Sequence, residues 1–129
     1  MVNTKFEAYK IKREIKRSGR QFTFMRIKRN DYKEPDIKLG FDELGALGGL
    51  YHEQSSMVSV QTNETTQSRT KKIPAILCLW DDVQNLQLQF EDVVKINDKT
   101  FKITAVENVA EWSIIADISL EVLDYVVEV

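Results

Sequence analysis

The chain has 129 residues, of which 43% are hydrophobic and 29% charged, and its formal net charge at pH 7 is −2. These values are typical of a soluble globular protein, and the length allows one domain with a single core but not two. Apolar stretches such as 73–80 are too short to span a bilayer, and the N-terminus lacks the apolar core of a secretory signal. We therefore expect folding in a cytoplasm and no membrane partner.

The charge is unevenly distributed along the chain. Residues 1–33 contain 11 Lys/Arg against 3 Asp/Glu, a net +8, whereas the remaining residues contain 7 against 17, a net −10. Opposite charges at the two ends favour contact between copies, or contact of the basic end with an anionic partner. The alternative is a solvated basic helix face without a partner.

The first predicted element is a helix within residues 1–19. Thr4 and Glu7 have the spacing of a capping box, and Gly19 can end the helix in a left-handed conformation. The apolar positions recur at helical spacing but form a narrow stripe, so the helix must dock on its own domain or on a neighbouring subunit. Its candidate interface residues are the basic positions Lys12, Arg13, Lys16 and Arg17.

Strand patterns follow the helix. Residues 21–28 are rich in aromatic and β-branched side chains, and residues 50–62 form a second predicted strand. Between them, the glycines of 37–50 predict a loop with one short helical turn at most. In the strand predicted over 73–80 both faces are apolar, which indicates that both are covered.

Residues 61–72 contain no hydrophobic side chain. Such a segment cannot bury itself, so it is either a mobile loop or the tip of a long hairpin. The positions that we single out in it are Thr62, Asn63, Glu64, Thr65, Thr66, Gln67, Ser68, Arg69, Thr70, Lys71 and Lys72.

The C-terminal third has the clearest strand signals. Residues 93–96 and 100–106 flank an Asn-Asp-Lys turn and predict a hairpin, and 112–123 predict a further strand. Five or six strands with one helix indicate a mainly β protein. We expect a single domain, a small five- to six-stranded β-barrel over 20–129 preceded by the helix, with a sandwich as the alternative.

No residue pattern indicates catalysis, a cofactor or a metal. Cys78 lies among large hydrophobic residues, where a thiol is usually buried and inert, and His52 would face it only through a coincidence of register. One His and one Cys match no metal-ligand spacing, and the glycines of 45–49 lack the residues of a phosphate-binding loop. Adjacent carboxylates such as Asp81 and Asp82 need not converge. We therefore expect no enzyme.

Nucleic-acid binding is an alternative that the residues allow. A basic helix and a small barrel carrying Phe22, Phe24 and Phe101 could bind an oligonucleotide. However, the β portion is acidic overall, and the aromatic residues alternate as core residues do. The helix is then the remaining candidate for non-specific phosphate contact.

Taken in order, the predicted strands resemble the head-closure proteins (stopper or head–tail connector proteins) of tailed bacteriophages and their prophages. The resemblance covers about 20–123, and the segments that carry it are 20–26 (RQFTFMR), 49–54 (GLYHEQ), 70–78 (TKKIPAILC), 92–104 (DVVKINDKTFKIT) and 111–120 (EWSIIADISL). The basic helix before Gly19 has no counterpart in this pattern.

The resemblance implies a virion protein that forms a homo-oligomeric ring in the neck, below the portal and adaptor proteins and above the tail. It also implies a small β-barrel fold and a long loop that projects into the central channel and helps to retain the packaged DNA. Residues 62–72 match that loop, and Arg69, Lys71 and Lys72 would face phosphates there. The alternatives are a tail-terminator or tail-completion protein and the small oligonucleotide-binding barrel.

Overall fold

A computed structural model describes residues 4–62 and 65–123, with only the backbone described at 37, 55–62 and 65–71. The chain is mainly β, as predicted from the sequence. Its elements are α1 (Lys5–Ser18), β1 (Arg20–Ile27), a 3₁₀ turn (Ile37–Leu39), β2 (Phe41–Thr62), β3 (Thr65–Leu79), α2 (Trp80–Leu86), β4 (Val93–Ile96), β5 (Lys99–Asn108), a 3₁₀ turn (Val109–Glu111) and β6 (Ile115–Val122).

The strands close into an antiparallel barrel in the order β1-β2-β3-β6-β5-β4. Short pairing between β1 and β4, at Phe24↔Val94 and Met25↔Val93, closes the circle. Inward-facing side chains fill the interior, so the barrel has a packed core. The buried core residues are Phe22, Phe24, Leu47, Ile76, Cys78, Val83, Val94, Ile96, Phe101, Ile103, Ala116, Ile118 and Leu120. The predicted small barrel is confirmed.

The two faces of β3 are covered by different parts of the molecule. Ile76 and Cys78 lie in the barrel core, whereas Leu77 and Leu79 pack in a second cluster on the outer wall with residues of α1. The expectation that both faces of this strand are covered is therefore confirmed.

Helix α1 docks on its own barrel. The Thr4 hydroxyl accepts a hydrogen bond of 3.1 Å from the Glu7 backbone amide, which confirms the predicted N-cap. Ala8 and Ile15 are buried against Ile114 and Ile115 at the start of β6. This packing supplies the stability that the narrow apolar stripe cannot give to an isolated helix.

Gly19 ends α1 for a different reason from the one predicted. Its φ is −65°, so it is not left-handed, and its amide donates to the Ile15 carbonyl. A Cβ at this position would lie 2.5 Å from the Ile15 oxygen and 3.2 Å from the Gly49 nitrogen. Glycine is needed because a Cβ would clash with the last turn of α1 itself and would also crowd the barrel wall at Gly49.

The loop predicted over 37–50 is confirmed only in its first part, where its one helical turn is the 3₁₀ turn Ile37–Leu39. It is wrong from residue 41 onward, because residues 41–49 form the first part of β2 and pair with β1. The register skips one residue between Phe24↔Gly45 and Met25↔Glu43, which is a β-bulge. Gly45 adopts a φ of +142° there, and a Cβ on it would lie 2.7 Å from Leu86. The glycines thus allow a sharp bend and a close approach of α2 within a continuous strand.

Helix α2 was not predicted and covers one end of the barrel, which we call the plugged end. Val83 is buried in the core, and Leu86 and Trp80 pack against it. The helix has seven residues and no side-chain hydrogen bond at its N-cap, so packing rather than a local signal defines it. The opposite end of the barrel is where β4 turns into β5 at Asn97 and where paired β2 and β3 continue beyond the barrel as an arm. We call it the arm end.

The hairpin predicted from the Asn-Asp-Lys turn is present. β4 and β5 pair from Val93↔Lys102 to Ile96↔Lys99, and Asn97 adopts a φ of 54° in the turn. The last predicted strand is also present as β6, which begins at Ile115 rather than at residue 112.

Residues 61–62 and 65–72 belong to paired strands, so the hairpin alternative is confirmed and the loop alternative is wrong for these residues. Strands β2 and β3 continue pairing out to Thr62↔Thr65. Asn63 and Glu64 lie outside the described residues. A segment without apolar side chains still forms strand here, because backbone hydrogen bonds between the strands do not require a buried face.

Candidate functional site

The strands β2 and β3 extend far beyond the barrel as a two-stranded arm. On one side, β1 pairs with β2 only as far as Arg20↔Gly49, and on the other β6 pairs with β3 only as far as Ala75↔Ser119. The arm consists of residues 53–62 and 65–74, ten register pairs from Glu53↔Pro74 to Thr62↔Thr65. At roughly 3.3 Å per residue it is about 30 Å long.

Within the described chain, no third strand pairs with the arm. A two-stranded ribbon exposed to water is marginally stable by itself and leaves a row of unpaired backbone groups along each edge. Its sequence is rich in Ser, Thr and Gln, and the register places Val58 opposite Arg69 and Val60 opposite Gln67. Such an arm is suited to contact another molecule. Of the predicted channel residues, Thr62 lies at its outer end and 65–72 form most of its β3 strand, with Lys71 and Lys72 opposite Ser56 and Ser55 near the root.

The root of the arm is marked by Pro74. Proline has no N–H to donate to a neighbouring strand and is typical of strand edges. Pairing between β3 and β6 stops at the adjacent Ala75. Beyond this point the arm leaves the barrel wall. Near its root, Lys72 and Glu53 form a long ion pair of 3.9 Å.

Four polar side chains connect the arm root to β6 on the outer wall. His52 Nε2 lies 2.8 Å from Asp117 Oδ1, and the Gln54 amide donates to Asp117 Oδ2 at 2.7 Å. The Ser119 hydroxyl donates to Gln54 Oε1 at 3.2 Å. We call these four residues the root network. The sequence did not predict it, because its members are brought together only by the register across β3.

A shallow groove of about 300 Å³ lies at the arm end of the barrel. Tyr51 stands at its edge, and burial raises the pKa of this phenol, with a smaller contribution from the Glu53 carboxylate. Arg20 and Lys99 contribute positive charge, while Asp98 contributes negative charge. The remaining lining residues are Ile96, Asn97 and Phe101. The groove is therefore amphipathic and of mixed charge.

The predicted interface residues of α1 are displayed on the protein surface. Arg13, Lys16 and Arg17 are exposed and Lys12 is half-buried, while the apolar stripe faces the barrel. Arg17 forms an ion pair of 2.9 Å with Glu14. The hydrogen bond from Ser18, together with Arg17, lowers the pKa of the Glu14 carboxyl. The helix thus presents a basic face that its own barrel does not use.

The structure does not bring His52 and Cys78 together. Cys78 lies in the barrel core, where its thiol donates weakly to the Ala116 carbonyl at 3.8 Å. Burial raises the pKa of this thiol far above its usual range, and the charges of Asp117 and Asp82 add to the effect. His52 pairs with Ala75, which has the opposite orientation to Cys78 along β3. The predicted burial of this thiol is confirmed.

Among the described residues, no group of three or more His, Cys, Asp or Glu side chains is arranged to hold a metal ion. None of the helices in the described part of the chain is long and apolar enough to cross a membrane. The aromatic residues Phe22, Phe24 and Phe101 are core residues, 2%, 0% and 7% exposed. They are therefore not available as a platform for base stacking.

Comparison with known proteins assigns no family. No protein-family model matches this sequence, and no curated protein matches it. The features of this chain that bear on its function are therefore the arm, the basic face of α1 and the order of the strands.

Proposed function

We propose that this chain is a structural virion protein of a tailed phage or prophage neck. In this proposal it forms a ring that closes the DNA-filled head and joins it to the tail, without catalysis. The observation that carries the proposal is the arm, a two-stranded ribbon about 30 Å long at roughly 3.3 Å per residue that pairs with no other strand of the described chain.

The position of the arm agrees with the order of segments in head-closure proteins. In the part of the chain that the resemblance assigns to the channel, Thr62 lies at the outer end of the arm and 65–72 form most of its β3 strand. Its composition of Ser, Thr, Gln and Lys suits a wet channel, and the cationic Arg69, Lys71 and Lys72 suit a polyphosphate. An arm of this length can reach from a barrel in the wall of a ring towards its axis.

The distribution of charge supports assembly into a ring. Ring interfaces are heterologous, so that one surface of a subunit meets a different surface of the next. The exposed cations Arg13, Lys16 and Arg17 of α1 can then face carboxylates of another subunit or of the adaptor above. Exposed carboxylates are present on the barrel and on α2, at Asp42, Glu43, Asp81, Glu107 and Glu111.

Deleting the gene in the phage or prophage that encodes the chain tests the proposal. We expect heads that package DNA but lose it, together with free tails, and restoration by the full-length gene. Stable DNA-filled heads joined to tails would contradict the proposal. Filled heads with tails of abnormal length would instead support the tail-terminator alternative.

The groove at the arm end favours oligonucleotide binding as a second candidate function. Arg20 and Lys99 can contact phosphates, and the half-exposed Tyr51 ring can stack on a base. Fluorescence anisotropy with a labelled single-stranded oligonucleotide at low and high salt tests this function. Salt-sensitive binding that Tyr51→Ala and Arg20→Gln weaken would support it, and no binding at low salt would remove it.

A further inference from the structure

We infer that the root network, formed by His52, Gln54, Asp117 and Ser119, is a side-chain clamp that sets the direction of the arm relative to the barrel. This inference concerns the isolated chain and does not depend on the neck function proposed above. It assigns a positioning role to four residues that neither the sequence patterns nor the barrel core account for.

The clamp lies where backbone pairing between the arm and the barrel ends. β3 loses its β6 partner after Ala75↔Ser119, and the next residue is Pro74, which has no N–H to donate. From there outward, the described arm has only its own two strands to hold it. A ribbon attached in this way can bend at its root unless another contact fixes its angle.

The side chains cross a strand that separates their backbones. His52 and Gln54 lie on β2, and Asp117 and Ser119 lie on β6, with β3 between them. Ala75 stands between His52 and Ser119 in the register and is 0% exposed. Its small side chain leaves room for the longer ones to meet above it, so hydrogen bonds join β2 directly to β6.

Asp117 is the centre of the clamp. Each of its two carboxylate oxygens has a different partner on β2, His52 at 2.8 Å and Gln54 at 2.7 Å. The Asp117 side chain is 13% exposed, so these charge-assisted hydrogen bonds are partly shielded from water. The Ser119 hydroxyl donates a hydrogen bond to the other end of the Gln54 amide, its oxygen Oε1. His52 lies on the barrel side of the arm boundary and Gln54 on the arm side. Both are thereby fixed to β6.

Distances between two spin labels on the full-length chain test the clamp. The labels are placed at Ser59→Cys in the arm and Asn85→Cys on the exposed side of α2, in a Cys78→Ala background, and neither site belongs to the root network. The distance distribution is measured in the parent, in Asp117→Ala and in Gln54→Ala. The matched control is Glu121→Ala, which removes an exposed carboxylate from the same strand.

We expect one narrow distribution in the parent and in Glu121→Ala, and a broader or bimodal one in Asp117→Ala. Gln54→Ala removes only the amide contacts, so it should broaden the distribution less and keeps the inference testable if Asp117→Ala does not fold. Parent-like distributions in both network variants would overturn the clamp, because the backbone would then set the arm direction. Equal broadening in Glu121→Ala would overturn it as well.

Discussion

Asp92 is 2% exposed, and its two carboxylate oxygens accept hydrogen bonds of 2.8 Å and 2.9 Å from the Arg26 guanidinium. The same guanidinium donates to the Gln87 carbonyl, and the Gln89 amide donates to Asp92. The pair therefore joins β1 to the segment between α2 and β4. It also raises the pKa of Arg26, chiefly through the hydrogen bond with Asp92.

Arg26→Ala should destabilise the fold by about 3–5 kcal/mol, because it leaves a buried carboxylate without its partner. Urea unfolding of the purified chain measures the free energy of unfolding. The control is Lys28→Ala, which removes an exposed ion pair of 3.8 Å with Asp42 and should cost less than about 1 kcal/mol. Equal losses in the two variants would contradict this account of the pair.

Gly45→Ala should destabilise the barrel more than Gly40→Ala. Both glycines have positive φ, +142° and +93°, so each alanine carries a backbone cost of about 1–3 kcal/mol. A Cβ at Gly45 also lies 2.7 Å from Leu86, whereas nothing lies within 4 Å of one at Gly40. Leu86 would have to turn away from the plugged end. Equal free energies of unfolding for the two variants would show that this contact is unimportant.

Gly45 also shows why part of the fold could not be predicted. Helix α1 and the β4–β5 hairpin carry local signals, the Thr4 cap and the turn at Asn97, and both were predicted from the sequence. In β2, glycines normally indicate a loop, but here Gly45 forms a β-bulge and allows α2 to approach closely. Both features depend on the tertiary structure and not on local sequence. Helix α2 has no cap signal and is too short for its periodicity to stand out.

The candidate site was predictable only in part for a related reason. The polar composition of 61–72 indicated a surface segment, but a hairpin and a loop could not be distinguished without the register. The contact between His52 and Asp117 joins residues 65 positions apart and depends on two register choices across β3. A one-residue slip in either pairing would place one partner on the opposite face.

The buried thiol of Cys78 should make stability fall at alkaline pH. Burial raises the pKa of this thiol far above its usual range. Above about pH 8.5 an unfolded thiol loses its proton while the folded one keeps it, so the unfolded state gains stability by up to about 1.4 kcal/mol per pH unit. Below that pH both states are protonated and the effect is absent.

Urea unfolding between pH 7.5 and 9.5 measures this dependence, and Cys78→Ala serves as the comparison because it has no thiol to ionise. The free energy of unfolding of the variant should fall less steeply with pH, because the part of the slope that comes from thiol ionisation is gone. Its smaller side chain lowers stability equally at every pH and does not change this slope. A thiol reagent should also label the native protein far more slowly than the unfolded protein. An unchanged slope in Cys78→Ala, or rapid labelling of the native chain, would contradict the burial argument.

Removing the basic face of α1 should impair assembly without unfolding the chain. The fourfold change of Lys12, Arg13, Lys16 and Arg17 to Gln leaves the docking residues Ala8 and Ile15 in place, so we expect a change in unfolding free energy of about 1 kcal/mol or less. Incorporation into particles, measured by quantitative blotting, should fall markedly.

The matching control for the helix is Ile15→Ala, which keeps the charges but removes buried apolar contacts. It should cost about 2–5 kcal/mol of stability. If the fourfold Gln variant enters particles as well as the parent does, the basic face is a solvated surface and not an interface.

Shortening the arm tests the central claim most directly. Replacing 56–71 with an Asn-Gly turn between Ser55 and Lys72 leaves the described barrel core, the root network and α1 in place. The measurement is the DNA content of particles made with this variant. We expect the variant to enter particles but the heads to lose their DNA. DNA-filled, tailed particles carrying the shortened arm at parental levels would contradict it.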